Sequence, residues 1–317
     1  MAQAYRSIFR AGLFEGKVAV VTGGGTGIGL QIATELLELS GTVVICSRSE
    51  TKLAAAAEQL KPLAAQHGGR IEYLPCNIRQ EDDVERTFTR VVEMCGGLDI
   101  LVNNGGGQFP APAATMSAKG WRAVIDTNLN GTFLCCQAAH AAWMADHGGT
   151  IVNIIADMWK GFPGMAHTGA ARAGVENLSK SLAVEWALSG VRVNCVAPGI
   201  VYSASAESNY EGIPGGKVAL TGQWPKIPAK RVATVEEVSA AVCFLASPAA
   251  AYITGDTIRV DGGQSFYRGQ TPDIPDHMMS QPFGRQIPPK PTVQEIDEAG
   301  DMFSVLLAQS APSGSKL

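Results

Sequence analysis

The chain has 317 residues, of which 46% are hydrophobic and 17% are charged, and this composition excludes an intrinsically disordered protein. The net charge of −4 gives no electrostatic basis for nucleic-acid binding. No apolar run reaches the roughly 18 residues that a membrane-spanning helix needs. The seven cysteines form no C-x-x-C pair and mostly lie in apolar runs, so we expect buried free thiols in a reducing compartment and no metal site.

From residue 17 onward, short β-branched runs alternate with longer helical patterns. The runs are continuously apolar, which is typical of strands that are buried on both faces. They cover residues 17–23, 42–48, 71–78, 98–104, 150–155, 191–198 and 257–263. Seven such strands separated by helices predict an α/β fold with a doubly wound, seven-stranded parallel sheet of the Rossmann type.

Two stretches break this alternation and predict additions to a single domain. Residues 202–228 are rich in turn formers and follow the sixth strand, where a long loop is more often a lid over a binding site than a connection. Residues 265–317 are rich in Pro and Gln and predict an extended C-terminal arm and tail. The chain therefore divides into an N-terminal arm at 1–16, a Rossmann-type domain at 17–264 and the C-terminal arm at 265–317.

A glycine-rich turn joins the first strand to the first helix. In the stretch "VAVVTGGGTGIGLQ", Gly23, Gly27 and Gly29 lie where the strand ends and the helix begins. Small residues let the backbone approach a pyrophosphate, and the unpaired N–H groups of the helix attract its negative charge. An ordinary βα turn can also be rich in glycine. The buried strand before this turn and the apolar helix after it favour a dinucleotide site.

The end of the second strand selects between the two nicotinamide dinucleotides. A site for NAD usually carries Asp or Glu there, whereas this strand ends in Ser47 and Arg48 and the next acid is Glu50. Arg48 could stack on an adenine and pair with a 2′-phosphate, which Ser47 could also hydrogen-bond. The sequence therefore predicts NADPH as the cofactor. The alternative is that Arg48 is a solvated strand end.

Four motifs in unbroken order resemble those of short-chain dehydrogenase/reductases. They are "TGGGTGIG" at 22–29, "NNGGG" at 103–107, "TNLNGT" at 127–132 and "VAPG" at 196–199. Within that superfamily, segments such as "GAARAGV" and "NCVAPGIVYS" are similar to the peroxisomal trans-2-enoyl-CoA reductases.

The resemblance implies more cofactor contacts than the glycines and the second strand alone. They lie in the glycine turn (Thr26, Ile28), beside the adenine (Asn77, Ile78), beside the ribose (Asn104, Gly105, Gly106) and beside the nicotinamide (Pro198, Gly199, Ile200, Val201). The resemblance also implies a homotetramer with the helices near 117–145 and 166–189 as interfaces.

One helical stretch, "HTGAARAGVENLSKSL" at 167–182, carries four polar residues at a spacing of four: Thr168, Arg172, Glu176 and Lys180. By spacing alone, such a stripe is usually a solvated ladder of charges. Most members of the superfamily place Ser, Tyr and Lys at the positions of Ala156, Thr168 and Arg172, where the Tyr protonates a carbonyl oxygen. Only the Asn of their pattern is kept, as Asn128.

The loss of Ser, Tyr and Lys favours a reaction that does not protonate a carbonyl oxygen. Reduction of the C2=C3 bond of an enoyl thioester delivers hydride to Cβ and leaves an enolate, which needs hydrogen-bond donors at oxygen and an acid at Cα. The resemblance implies that Arg172 binds the ribose hydroxyls and that Glu176, with Lys180 one turn further on, is the acid. The enoyl-CoA reductase pattern prefers Tyr at 176. A dienoyl substrate, an acid relayed through water, lost activity and a plain salt bridge of Glu176 therefore stay open.

Together these observations predict an NADPH-dependent reductase of the C2=C3 bond of trans-2-enoyl-CoA in fatty-acid metabolism. The alternatives are a 2,4-dienoyl-CoA reductase and a non-catalytic dinucleotide-binding scaffold. Ser315, Lys316 and Leu317 form the tripeptide that the peroxisomal import receptor reads, so we expect that receptor as a partner and a peroxisomal location.

Overall fold

The computed structural model describes residues 7–203, 206–207, 221–267, 274–277 and 279–299. Its centre is a sheet of seven parallel strands in the order β3-β2-β1-β4-β5-β6-β7. The strands are β1 Val18–Thr22, β2 Thr42–Ser47, β3 Arg70–Pro75, β4 Ile100–Asn103, β5 Gly149–Ile154, β6 Val191–Pro198 and β7 Thr257–Val260. The predicted doubly wound parallel sheet is confirmed.

Two of the strands end three residues earlier than the sequence predicts. The third was expected to reach residue 78 but ends at Pro75, and the Asn77 N–H then bonds to Oδ2 of Asp83 at 2.7 Å instead of to β2. The seventh was expected to reach residue 263 but ends at Val260. Gly262 and Gly263 follow with φ of 60° and 85°, which is a turn rather than a strand.

Nine helical segments surround the sheet within the described part of the chain. They are α1 Gly27–Glu38, α2 Glu50–His67, α3 Glu81–Cys95, α4 Ala118–Ile125, α5 Gly131–Ala139, α6 Ala145–His147, α7 Ala166–Glu185, α8 Val235–Ala246 and α9 Val293–Ala299. Wide π-helical turns at Asp126–Asn130 and His140–Met144 join α4 to α5 and α5 to α6. Short 3₁₀ turns lie at Ala187–Ser189, Trp224–Lys226 and Pro248–Ala250.

Side chains of the inner strands β1, β2, β4, β5 and β6 pack on both faces of the sheet. In β1, Ala19 and Val21 join the apolar cluster that α1, α2 and α8 cover, whereas Val18 and Val20 join the cluster under α3, α5 and α7. Alternate residues of a strand point to opposite faces, so a strand covered on both sides must be apolar throughout. This burial explains why the strands could be recognised as continuous apolar runs.

Both terminal arms pack on this domain where the structure describes them. Phe14 is buried, and Ser7 donates its hydroxyl to Oε1 of Glu35 at 2.8 Å. The C-terminal arm, expected to be extended, contains the short helix α9. Most of the predicted lid, at 204–205 and 208–220, lies outside the described residues, as does the tripeptide at 315–317. The boundaries of the arms and the lid stay predictions.

The seven cysteines are unpaired, and all except the half-buried Cys95 are buried. Among the helices that the structure describes, none combines the length and the apolarity required to cross a bilayer.

Candidate active site

The glycine-rich turn forms a backbone cradle at the carboxyl end of β1. A Cβ on Gly29 would collide with the Gly23 carbonyl oxygen and with Nδ2 of Asn104. Gly23 and Gly27 have φ of 65° and 56°, a conformation that residues with a side chain rarely adopt. The turn therefore depends on glycine at these positions, as the close approach of a backbone to a pyrophosphate also requires.

The N-terminus of α1 completes this cradle. The helix begins at Gly27, the side chain of Thr26 does not cap it, and its first turn holds no acidic residue. Its first N–H groups therefore have no partner within the helix and carry the positive end of the helix dipole. This arrangement fits a dinucleotide diphosphate.

Thr22, the first residue of the glycine motif, was not predicted as a site residue. Its Oγ1 accepts hydrogen bonds from the N–H groups of Asn104 at 3.0 Å and Gly105 at 2.8 Å, and its carbonyl accepts one from Nδ2 of Asn104 at 3.0 Å. Thr22 thus ties the glycine turn to the loop after β4. A polar residue at the end of a buried apolar strand was the available signal in the sequence.

The residues expected around the adenosine lie at one edge of the sheet. Ser47 is half-buried and Arg48 is exposed at the end of β2. Within the described ranges, no hydrogen bond or ion pair engages Arg48, so its guanidinium is available to an anion. Ile78 lies between two glycines, because a Cβ on Gly105 or Gly131 would come within 3.1 Å or 2.9 Å of its side chain.

The loop after β6, Pro198 to Val201, is held from two sides. Its Gly199 N–H bonds to the Val260 carbonyl of β7 at 3.0 Å, and its Ile200 carbonyl accepts the Ala233 N–H at 2.8 Å. A Cβ on Gly199 would lie 2.9 Å from Cα of Asp261, so glycine is needed here. The loop is the expected nicotinamide contact, and its position depends on the segment before α8.

Arg172 lies on α7 beside the loop after β4. Its Nη1 donates to the Ile154 carbonyl at 2.8 Å, and a Cβ on Gly106 would collide with its Nη2. Burial lowers the pKa of the Arg172 guanidinium to about 10, so the group is charged at neutral pH. The structure thus brings Arg172 together with Gly106, as the resemblance implies for the ribose site.

Asn128 is fully buried in the π-helical turn after α4. Its Oδ1 accepts the Gly107 N–H and its Nδ2 donates to the Gly107 carbonyl, both at 2.9 Å. Its amide therefore fixes the loop after β4. This contact is that of a residue that positions the loop, and a catalytic role for Asn128 stays a prediction.

Thr168 occupies the usual Tyr position and is fully buried. Its N–H donates to Nδ1 of His167 at 2.8 Å, and its Oγ1 lies 3.3 Å from the same nitrogen. Burial lowers the pKa of His167, which favours the neutral ring. No phenol stands at this position to protonate a carbonyl oxygen.

Glu176 and Lys180 form an ion pair one turn beyond Arg172. Nζ of Lys180 is 3.1 Å from Oε1 of Glu176. The Lys180 side chain is 54% exposed and the Glu176 side chain is 18% exposed. Among the described residues, no hydrogen bond or ion pair joins Glu176 to Arg172 or Asn128. The salt bridge to Lys180 is therefore present and the one to Arg172 is not, while the catalytic roles of both residues stay predictions.

The part of the chain that the structure describes contains no group of three or more His, Cys, Asp and Glu side chains that could hold a metal ion. This edge of the sheet brings together the glycine cradle, the half-buried cation of Arg172 and, one helical turn further on, the carboxylate of Glu176.

Comparison with known proteins agrees with this geometry. A family model described as enoyl-(acyl carrier protein) reductase matches residues 23–265. The peroxisomal 2,4-dienoyl-CoA reductase of Danio rerio is 37% identical over 82% of this chain and 85% of its own length. A probable 2,4-dienoyl-CoA reductase of Bacillus subtilis is 35% identical over 79% of this chain and 97% of its own length. Among solved structures, a citronellol catabolism dehydrogenase of Pseudomonas aeruginosa superposes with a TM-score of 0.71 and 43% identity, covering 82% of this chain and all of that one.

Proposed function

Because the chain belongs to the short-chain dehydrogenase/reductase superfamily, we propose that it uses NADPH to reduce a carbon–carbon double bond of an unsaturated acyl-CoA. The observation that carries this proposal is the changed pair of polar residues on α7, Thr168 and Arg172. The usual Tyr position holds the buried Thr168, and the usual Lys position holds the charged Arg172. The site lacks the Tyr phenol that would protonate a carbonyl oxygen, but it keeps a cation that can bind ribose hydroxyls.

The proposed division of labour follows from these contacts. NADPH would supply the hydride, to Cβ of a 2-enoyl thioester or to Cδ of a 2,4-dienoyl thioester, and either addition leaves an enolate. Arg172 would bind the ribose hydroxyls, and the Asn128 amide would hold the Gly107 loop against the bound substrate. Glu176 would deliver a proton to Cα, directly or through water, once the enolate has formed.

Two acyl-CoA substrates fit this chemistry. Sequence motifs favour trans-2-enoyl-CoA, whereas the names of the vertebrate and Bacillus relatives favour 2,4-dienoyl-CoA. Glu176 in place of Tyr also agrees with the dienoyl substrate. Both substrates present a thioester conjugated to the bond that is reduced, and both lead to an enolate.

A polar cavity of about 670 Å³ supports a CoA thioester as the substrate. It opens between the start of α3 and the segment from α4 to α5, and three cations line it: Arg79, Lys119 and Arg122. Three carboxylates, Glu81, Asp82 and Asp126, also face it, so the cavity is not uniformly basic. The cations suit the phosphates of CoA, which contact proteins through charge-assisted hydrogen bonds.

A substrate panel tests this function directly. We expect NADPH oxidation with trans-2-enoyl-CoA or 2,4-dienoyl-CoA and none with a 3-ketoacyl-CoA, because no phenol occupies the Tyr position. Oxidation of citronellol with NADP⁺ is measured beside them, because the name of the Pseudomonas relative suggests a dehydrogenase activity as the alternative. NADPH binding without turnover of any substrate would support the non-catalytic scaffold instead.

Cofactor preference is expected to depend on Arg48. The Arg48→Glu variant should lower the preference for NADPH over NADH, measured as the ratio of kcat/KM values, by about ten- to 100-fold. A charge-assisted contact contributes about 1.5–3 kcal/mol. The control is Lys52→Glu, which makes a similar charge change on the exposed first turns of α2. An unchanged ratio in Arg48→Glu would show that Arg48 is a solvated strand end.

Location and assembly are further parts of the proposal. The Danio relative is named peroxisomal, whereas the Bacillus relative shows that the same family also works outside peroxisomes. Import of a fluorescent fusion into peroxisomes, lost when the tripeptide 315–317 is changed, would test the location. For the tetramer, the support is exposed apolar surface on the expected interface helices: Trp121, Phe133, Val184 and Leu188. Light scattering in solution gives the mass that tests it.

A further inference from the structure

The C-terminal arm lies outside the family match, which ends at residue 265. Where the structure describes it, the arm crosses the segment 224–237 that precedes and begins α8. His277 contacts the Pro228 carbonyl at 3.0 Å, and the Pro291 carbonyl accepts Nε1–H of Trp224 at 3.0 Å. The arm is therefore fastened at both ends of its described course over this segment.

Arg231 is the centre of this attachment. Its Nε donates to the Ser280 carbonyl at 2.9 Å and its Nη2 to the Gln281 carbonyl at 3.0 Å. Its remaining donors reach the Val232 carbonyl and both carboxylate oxygens of Glu237, at distances between 2.6 and 3.1 Å. A guanidinium has five N–H donors, and here each of them has an acceptor.

The start of α8 binds the same part of the arm. The Thr234 hydroxyl donates to the Phe283 carbonyl at 2.6 Å, and Oε1 of Glu237 accepts the Phe283 N–H at 3.2 Å. The next residue, Gly284, has φ of 87°, and a Cβ there would lie 2.6 Å from Cβ of Glu236. The arm can follow this course only with glycine at position 284.

The segment that the arm holds also holds the nicotinamide loop. Ala233, two residues after Arg231, donates its N–H to the Ile200 carbonyl at 2.8 Å and accepts the Tyr202 N–H at 2.9 Å. Ala229 donates to the Gly262 carbonyl at 3.1 Å, which fixes the same segment against the turn after β7. The arm is thus hydrogen-bonded to Arg231, the backbone leads from Arg231 to Ala233 two residues later, and Ala233 is hydrogen-bonded to the loop after β6.

We propose that Arg231 is a positioning residue that couples the C-terminal arm to the nicotinamide loop, so that the docked arm sets the affinity for the cofactor. The proposal rests on the proposed function only for the identity of that cofactor. Side chains of Arg231 and Glu237 are only 12% and 16% exposed, so their ion pair is shielded from water and geometrically fixed. Lysine could not replace Arg231, because one ammonium group cannot bond at once to two carboxylate oxygens of Glu237 and to two carbonyls of the arm.

Two variants act on the two sides of this contact. Arg231→Lys keeps the positive charge but loses the planar guanidinium that bonds to Glu237 and to the arm carbonyls at the same time. Gly284→Val displaces the arm without changing any residue of the segment 224–237. We expect each to raise the Kd and the KM for NADPH by at least about fivefold, the lower range of typical coupling between sites, while kcat changes less. The control is Arg90→Lys, which makes the same chemical change at an exposed ion pair on α3.

Hydrogen exchange of the ligand-free protein separates this positioning role from general stability. We expect faster exchange in peptides that cover 198–203 and 229–234 in both variants, and unchanged exchange in β1 and β4. Faster exchange around Phe283 verifies that the arm has been displaced. Unchanged exchange at 198–203 and an unchanged NADPH Kd in Gly284→Val would overturn the inference. If the parent protein itself does not bind NADPH, the proposed function fails, whereas the exchange result still decides whether the arm is coupled to the loop.

Discussion

Replacement of Arg172 by Met is expected to lower kcat/KM for NADPH and an unsaturated acyl-CoA by about 10- to 100-fold, the loss that follows removal of one charge-assisted contact. The Arg172 guanidinium lies beside Gly106 and donates to the Ile154 carbonyl. Within the described residues, no other cation bonds to that carbonyl and could take its place. Methionine keeps the length and the apolar stem but removes the charge. Kinetics and NADPH binding would be measured on protein whose thermal unfolding matches that of the parent.

The Arg172→Lys variant distinguishes the loss of the positive charge from the loss of the guanidinium shape. Arg172→Lys restores the residue that most of the superfamily carries, so we expect it to recover activity to within about tenfold of the parent, the difference being the lost fork geometry. Arg90→Met, at an exposed position on α3, is the control for the loss of a cation. If Arg172→Met stays within tenfold of the parent, Arg172 is not part of the reaction site.

The pH dependence of the parent should agree with this role. Burial lowers the pKa of Arg172 to about 10. The positive charge is therefore present below that value and is lost as the pH rises through it. We expect this group to leave activity unchanged across neutral pH and to contribute a decline on approach to about pH 10. That decline should disappear in Arg172→Met, where nothing titrates at that position.

The second large effect concerns Glu176. If its carboxyl delivers the proton to Cα, Glu176→Gln should lower kcat by about 100-fold or more, the usual contribution of a general acid. If the carboxylate only pairs with Lys180, its loss should cost a few tenths of a kcal/mol of stability and leave kcat unchanged. The two roles of this residue thus differ by about two orders of magnitude in one measurement.

Glu58→Gln is the matched control for this experiment. Glu58 pairs with Lys61 on the exposed side of α2, so the variant removes a similar helical ion pair far from the reaction site. A solvent isotope effect on kcat that is present in the parent and changed in Glu176→Gln would identify the proton-transfer step. Equal turnover and equal pH profiles in the parent and Glu176→Gln would exclude Glu176 as the acid.

Several features of the site were predictable because they are local in the chain. The cradle at 22–29 is built from consecutive residues, and the backbone conformations that it needs restrict them to glycine, as the positive φ of Gly23 and Gly27 shows. Ser47 and Arg48 follow the apolar run of the second strand directly, so their place at its end can be read from the sequence alone. The fold was predictable for a related reason, because strands covered on both faces must be apolar at every position.

Other features depend on which distant residues meet. Nothing in "TNLNGT" indicates that both ends of the Asn128 amide bind Gly107, since the π-helical turn sets that direction. The stripe on α7 looked uniform in the sequence. Tertiary contacts divide it into the buried Thr168, the cation Arg172 beside Gly106 and a partly solvated Glu176–Lys180 pair.

The amino-acid sequence by itself determined the parallel sheet, the dinucleotide cradle and the residue types at its edge, because periodicity and backbone conformation are properties of short stretches. The tertiary structure alone decided that Arg172 lies against Gly106, and that Arg231 connects an arm about fifty residues further along the chain to the loop after β6. The physical reason is that such hydrogen bonds join groups that only the packed domain brings within 3 Å.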